Sequence, residues 1–84
     1  MDKYQKLLKH IIMRKGDANV PFAGICQLLC RIGFHERIKG DHHIFTLNDI
    51  EEIINLQPKE GKAKSYQVKQ IREIILRYGL KPEE

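Results

Sequence analysis

Two adjacent histidines lie in the stretch Arg37-Ile38-Lys39-Gly40-Asp41-His42-His43-Ile44-Phe45, and imidazole is the side chain that moves protons near neutral pH. Gly40-Asp41 separates two runs of strand-forming residues. That pattern predicts a two-residue hairpin loop, with glycine taking the positive φ that the first position of a type II′ turn demands. Numbered outward from the loop, Lys39 faces His42, Ile38 faces His43, Arg37 faces Ile44 and Glu36 faces Phe45. Cross-strand partners share a face, so His42 turns to solvent beside Lys39 and Arg37 while His43 turns inward. An error of one residue in the loop would exchange them. A solvent-facing histidine among cations suits a phosphodiester, because the cations bind the phosphate and the imidazole transfers the proton. Spacing alone does not separate this from an idle exposed histidine.

The elements that must hold this pair follow from periodicity. A turn at Asn48-Asp49 starts a third strand over Ile50 to Leu56, which sets Leu47 opposite Ile50, Ile44 opposite Ile53 and His42 opposite Asn55. One sheet face then carries Phe34, Ile38, Phe45, Leu47, Ile50, Ile54 and Leu56, with Glu36, His43 and Glu52 as polar exceptions. The other carries His35, Arg37, Lys39, His42, Ile44, Thr46, Glu51, Ile53 and Asn55. The first is the core face. On the open face Ile44 and Ile53 beside the histidine suggest a partner surface, since grouped apolar residues are harder to dismiss than single ones.

Asp2 to Lys15 reads as a helix capped by Asp2 and Gln5, with Tyr4, Leu7, Leu8, Ile11 and Ile12 as its apolar stripe and Gly16 as its stop. A second helix opens with Pro21 at its first position, buries Phe22, Ile25, Cys26, Leu29 and Ile32, and ends at Gly33. A last helix, capped by Ser65, runs from Tyr66 to about Tyr78 with Val68, Ile71, Ile75 and Tyr78 inward, and Gly79 stops it. The preceding polar loop from Gln57 to Ser65 brings Lys62 and Lys64 to that helix's N-terminus, where free N–H groups and the dipole favour phosphate. Lys69 and Arg72 continue the basic surface, an arrangement suited to an RNA backbone. A solvated lysine loop is the alternative.

The expected fold is therefore α+β, in the order α-α-β-β-β-α, with a three-stranded antiparallel sheet covered by helices on one face. It forms one domain over 1–84, with 1–16 an accessory helix, 20–80 the core and Lys81 to Glu84 a loose tail. With 15 Lys and Arg against 11 Asp and Glu, a net charge of +4 favours a polyanionic partner moderately. No apolar run approaches a membrane span and no signal-peptide pattern opens the chain, so no membrane partner and a cytoplasmic location are expected. Cys26 and Cys30, one helical turn apart, are poorly placed for a disulfide. Cys-x3-Cys with nearby histidines raises zinc, but both thiols fall on the apolar stripe, so reduced core cysteines, no metal and no cofactor are expected.

The runs Leu29-Cys30-Arg31-Ile32-Gly33-Phe34, Gly40-Asp41-His42-His43-Ile44-Phe45, Asn55-Leu56-Gln57-Pro58 and Tyr66-Gln67-Val68-Lys69-Gln70-Ile71-Arg72 together resemble the HicA (YcfA-like) toxin family from about Pro21 to the end. The resemblance implies a double-stranded-RNA-binding-domain-like fold and an mRNA interferase, the toxin of a toxin-antitoxin system held inactive by a HicB-like antitoxin. It also implies that His42 is the catalytic histidine, the residue the strand register selects independently. Asp41 departs from the family, which has a small Ser or Gly there; a carboxylate in that position repels phosphate. On this reading a metal-independent endoribonuclease cleaves mRNA with His42 as acid or base. Arg37, Lys39, Lys62, Lys64, Lys69 and Arg72 hold RNA, and Ile44 and Ile53 meet the antitoxin. No second acid-base group is evident. The competing reading is a non-catalytic RNA-binding or protein-interaction module using the same basic loop.

Overall fold

A computed structural model describes residues 2–82. Residues 83 and 84 of the expected tail lie outside the described residues. The chain runs α1 (Lys3–Ile12), α2 (Phe22–Ile32), β1 (His35–Lys39), β2 (His42–Thr46), β3 (Ile54–Leu56) and α3 (Ser65–Tyr78). The strands form an antiparallel sheet in the order β1-β2-β3. This is the α+β layout expected from periodicity. Among the described residues no helix is long and apolar enough to cross a membrane.

The β1–β2 hairpin has the anticipated register: Glu36 faces Phe45, Arg37 faces Ile44, Ile38 faces His43 and Lys39 faces His42. Gly40 holds φ at +63° while Asp41 does not enter the positive region, as a type II′ turn requires. A side chain at Gly40 would meet nothing within 4 Å, so conformation rather than space reserves this position for glycine.

The β2–β3 register differs from expectation. Ile44 faces Asn55, two residues beyond Ile53, and Phe45 faces Ile54. Asn48-Asp49 does turn, with Asp49 at φ 74°, but Glu51 to Ile53 stay outside the strand. Glu52 instead reaches the end of α3, accepting hydrogen bonds from Arg77 and, at 2.6 Å, from the Tyr78 hydroxyl. Because the shift is even, it preserves which residues share a face, and Ile54 and Leu56 are fully buried.

The core joins Ile11 of α1, Phe22, Ile25, Leu28, Leu29 and Ile32 of α2, Phe45, Ile54 and Leu56 of the sheet, and Val68, Ile71, Ile74 and Ile75 of α3. On the sheet face and α3, two inward assignments fail. Ile38 is 63% exposed, near the hairpin tip on the edge strand β1. Tyr78 is turned outward to Glu52 rather than inward.

Helix ends follow local chemistry with small displacements. Asp2 caps α1 through Gln5 N–H (2.9 Å). The helix stops at Ile12 because Arg14 takes a left-handed conformation before Gly16 is reached. Pro21 caps α2 instead of occupying its first turn, and Gly33 ends it at φ 124°. At α3 the expected Ser65 cap is replaced by Gln67, whose buried Oε1 accepts from Lys64 N–H at 3.1 Å. Gly79 closes that helix in the left-handed region.

One polar tie crosses the core. The Arg72 guanidinium, 4% exposed, grips both Asp17 carboxylate oxygens at 2.9 and 3.0 Å and donates to the Ile11 carbonyl at 3.2 Å. It fastens α3 to the end of α1 and the following turn. The fork holds the Asp17 carboxyl below its ordinary value, so the folded state binds that proton more weakly than the unfolded chain. The stability so gained is complete above the unfolded value of about 3.9 and disappears as pH falls through the lower folded value. Replacing Asp17 by Asn leaves a buried cation without its counter-ion. The expected cost is about 2–3 kcal/mol, under the range for a fully buried pair because the Asp17 side chain keeps 27% exposure. Thermal melts should show a midpoint lowered by roughly 10 °C or more. Melts below pH 4 should show the acid loss in the native chain and a flatter profile in D17N.

Candidate nucleic-acid interface

His42 is the first residue of β2 and points to the open face, its side chain 48% exposed. Its Nδ1 lies 3.1 Å from Asn55 Oδ1. The register shift sets Asn55 opposite Ile44, so the contact is diagonal rather than directly across, within reach of side chains on one face. With the amide oxygen as acceptor, Nδ1 is the donor in this contact, and Nε2 is the ring nitrogen left for the cleft.

Asp41 is closer to the histidine than strand alternation suggests. It belongs to the turn rather than to a strand, and its Oδ1 sits 3.8 Å from His42 Nε2. Gln57, just past β3, donates to Asp41 Oδ2 at 2.7 Å. That hydrogen bond, with smaller help from the His42 and Lys64 charges, holds the carboxyl below its ordinary value. Asp41 is therefore ionised at neutral pH, a negative charge at the mouth of the cleft. Gln57 was legible only as the start of a polar loop; its role depends on where β3 ends.

Lys39, Gly40, Asp41, His42, Ile44 and Asn55 line an open cleft of about 510 Å³. Arg37 and Lys39 are exposed on the neighbouring strand. Ile44 is half-buried in the cleft wall, whereas Ile53 lies outside the strand, 60% exposed. The two isoleucines are not cross-strand partners: Ile44 pairs with Asn55.

The loop lysines form a second concavity. Lys59 and Lys62 exchange both backbone hydrogen bonds at 3.0 Å around Glu60 and Gly61, both with positive φ, a tight primed turn. Phe22 N–H donates to the Gly61 carbonyl at 3.0 Å and Ala63 N–H to the Val20 carbonyl at 2.9 Å, strapping the turn to the entry of α2. Lys59, Glu60, Lys62, Lys64, Ser65 and Tyr66, with Ala18 and Ala63, line a cleft of about 560 Å³ at the N-terminus of α3. Lys62 Nζ donates to Asn19 Oδ1 at 3.1 Å, Lys64 Nζ lies 6.0 Å from the Tyr66 ring centroid, and Lys69 is exposed on α3.

Arg72 does not belong to this surface. The expectation that it extends the basic face is corrected by its burial against Asp17. A single-sequence reading sees an i+3 continuation of Lys69, but the hydrophobic positions Val68, Ile71 and Ile75 rotate Arg72 into the same buried side of α3.

No family model, curated protein or solved structure matches the chain significantly.

Replacing Asn55 by Ala removes the acceptor from an exposed ring. Stability should change by no more than about 0.5 kcal/mol. Nitrogen-15 shifts of the His42 ring should pass from a predominantly Nδ1–H tautomer in the native chain to a mixture in the variant.

Proposed function

We propose that this chain is a metal-independent endoribonuclease that cleaves mRNA, the toxin of a toxin-antitoxin pair, with His42 as its acid-base group. The observation that carries the reading is an exposed histidine, oriented by Asn55 and flanked by Lys39 and Arg37, in a cleft next to a lysine-lined helix N-terminus. The sequence resemblance to HicA toxins supplies the reaction class.

In that reaction His42 Nε2 takes the proton of a ribose 2′-OH as the oxygen attacks the adjacent phosphorus in line. The 2′-O–P bond forms, the P–O5′ bond breaks, and the leaving 5′-oxygen acquires a proton from water or from the imidazolium. Lys39 and Arg37 offset the charge that accumulates on the phosphoryl oxygens. Asn55 acts as a positioning residue through the ring. Asp41 stabilises the imidazolium formed after proton transfer, and its charge disfavours phosphate bound too near the turn. The lysines at α3, Lys62, Lys64 and Lys69, grip the flanking backbone, and their contribution weakens with salt. A HicB-like antitoxin laid on Ile44 and Ile53 would cover the histidine at the same time.

Induction of the native chain should arrest growth and degrade messages. His42→Ala at equal abundance should do neither, and in vitro cleavage should fall by roughly 10²–10⁴ while RNA binding persists. An all-deoxy substrate should bind and remain intact, for want of the 2′-OH. Equal behaviour of the native and His42→Ala chains would remove His42 as catalyst and leave a non-catalytic RNA-binding module on the α3 lysines.

A further inference from the structure

The inner face of the hairpin holds a second group of chemistry-bearing side chains that the ribonuclease reading does not use. Donor atoms of Cys26, Glu36 and His43 all lie within 4.8 Å of one another. Cys30, one helical turn beyond Cys26, points its Sγ at Glu36 Oε1 from 3.7 Å. His43 Nδ1 lies 2.7 Å from Glu36 Oε2. The expectation that both cysteines are core residues does not hold: Cys26 is half-buried and Cys30 is exposed. Glu36 and His43, whose side chains keep 25% and 22% exposure, are the two polar exceptions that the hairpin register turns toward α2.

From this arrangement we infer that Cys26, Cys30, Glu36 and His43 form a tetrahedral zinc site that pins the hairpin to α2. The donor set of two sulfurs, one imidazole nitrogen and one carboxylate oxygen belongs to zinc's usual choices. Zinc–ligand lengths of 2.0–2.3 Å imply donor–donor edges of about 3.3–3.8 Å. Cys26, Glu36 and His43 lie within 4.8 Å of one another and Cys30 Sγ lies 3.7 Å from Glu36 Oε1, close to those edges, and side-chain rotation of the Cys30 thiol would complete the set. Cysteines at i and i+4 share one helix face, while Glu36 and His43 are diagonal neighbours on one sheet face, so two rigid elements supply two ligands each. The Phe22 ring packs edge-on against His43 at 4.9 Å between centroids, fixing the imidazole's orientation. Both thiol protons leave on binding. Two thiolates, a carboxylate and Zn²⁺ then sum to a single negative charge.

The ion is structural. His42 and His43 project to opposite faces, so the site lies behind the sheet from the proposed catalytic cleft, and the inference does not depend on that cleft's activity.

The test is titration of the reduced full-length chain with Co²⁺ and with Zn²⁺. One equivalent of Co²⁺ should produce thiolate-to-cobalt charge transfer in the near ultraviolet and the strong d–d bands of a tetrahedral site, both erased by Zn²⁺. Zn²⁺ at a hundredfold excess over its dissociation constant should raise the thermal midpoint by roughly 10 °C. Cys26→Ser and Glu36→Gln should each weaken binding at least tenfold, and Cys26→Ser should reduce the charge-transfer intensity. Glu36 is on an exposed edge strand, so its isosteric variant tests the site without threatening the fold. Absence of tetrahedral bands, or metal binding unaltered by both substitutions, overturns the proposal.

Discussion

Successive side chains of a strand point to opposite faces, and the two-residue turn at Gly40-Asp41 decides which histidine takes which face. Gly40, at φ +63°, closes the turn with Lys39 opposite His42. One inserted or deleted residue would send His43 to the open cleft and bury His42 against α2. Both candidate chemistries of this chain, proton transfer outside and ligand donation inside, depend on that single backbone geometry. A turn is a suitable place for such a decision, since its few residues act locally and need no tertiary support to prefer their conformation.

The hairpin nonetheless has little purchase on the core. All of β1 is exposed, and β2 buries only Phe45 completely. What steadies the tip is polar: Gln57 holds Asp41 from beyond β3, Asn55 holds His42, and Glu36 holds His43. These are exposed or half-exposed contacts, each contributing modestly in water. An anchor to α2 through metal would therefore matter more here than in a strand already fixed by packing.

The helical layer is secured differently. Burial of the aliphatic side chains of α2 and α3 supplies most of its stability. The Arg72–Asp17 fork adds direction, since a bidentate pair accepts only one relative placement of α3 and the turn after α1. Ile11, buried completely, and its carbonyl, taken by Arg72, make α1 a participant in this arrangement. The strap between Gly61-Lys62-Ala63 and Val20-Pro21-Phe22 then sets the lysine-bearing turn at the head of α3.

Features that depend on neighbours along the chain were legible in the residues alone. The order of elements, the Gly33 and Gly79 stops, the Asp2 cap, the hairpin register and the exposure of His42 all follow from periodicity, capping and one glycine turn. Whatever required distant residues to meet was settled by packing between elements. The β2–β3 pairing moved by two positions, and Glu52, left outside the strand, meets Arg77 and Tyr78 at the end of α3, a meeting that no local propensity encodes. Arg72 left the surface because Asp17 and the Ile11 carbonyl await it, although its charge and spacing beside Lys69 suggest an exposed face. Cys30 left the expected core because Leu28 completes the buried stripe of α2. That rotation carries both thiols toward Glu36 and His43, residues that in sequence are only two polar interruptions of an apolar face. Patterns of period two and 3.6 reveal which side a residue takes; what it meets there depends on packing between elements, where the partner lies many residues away.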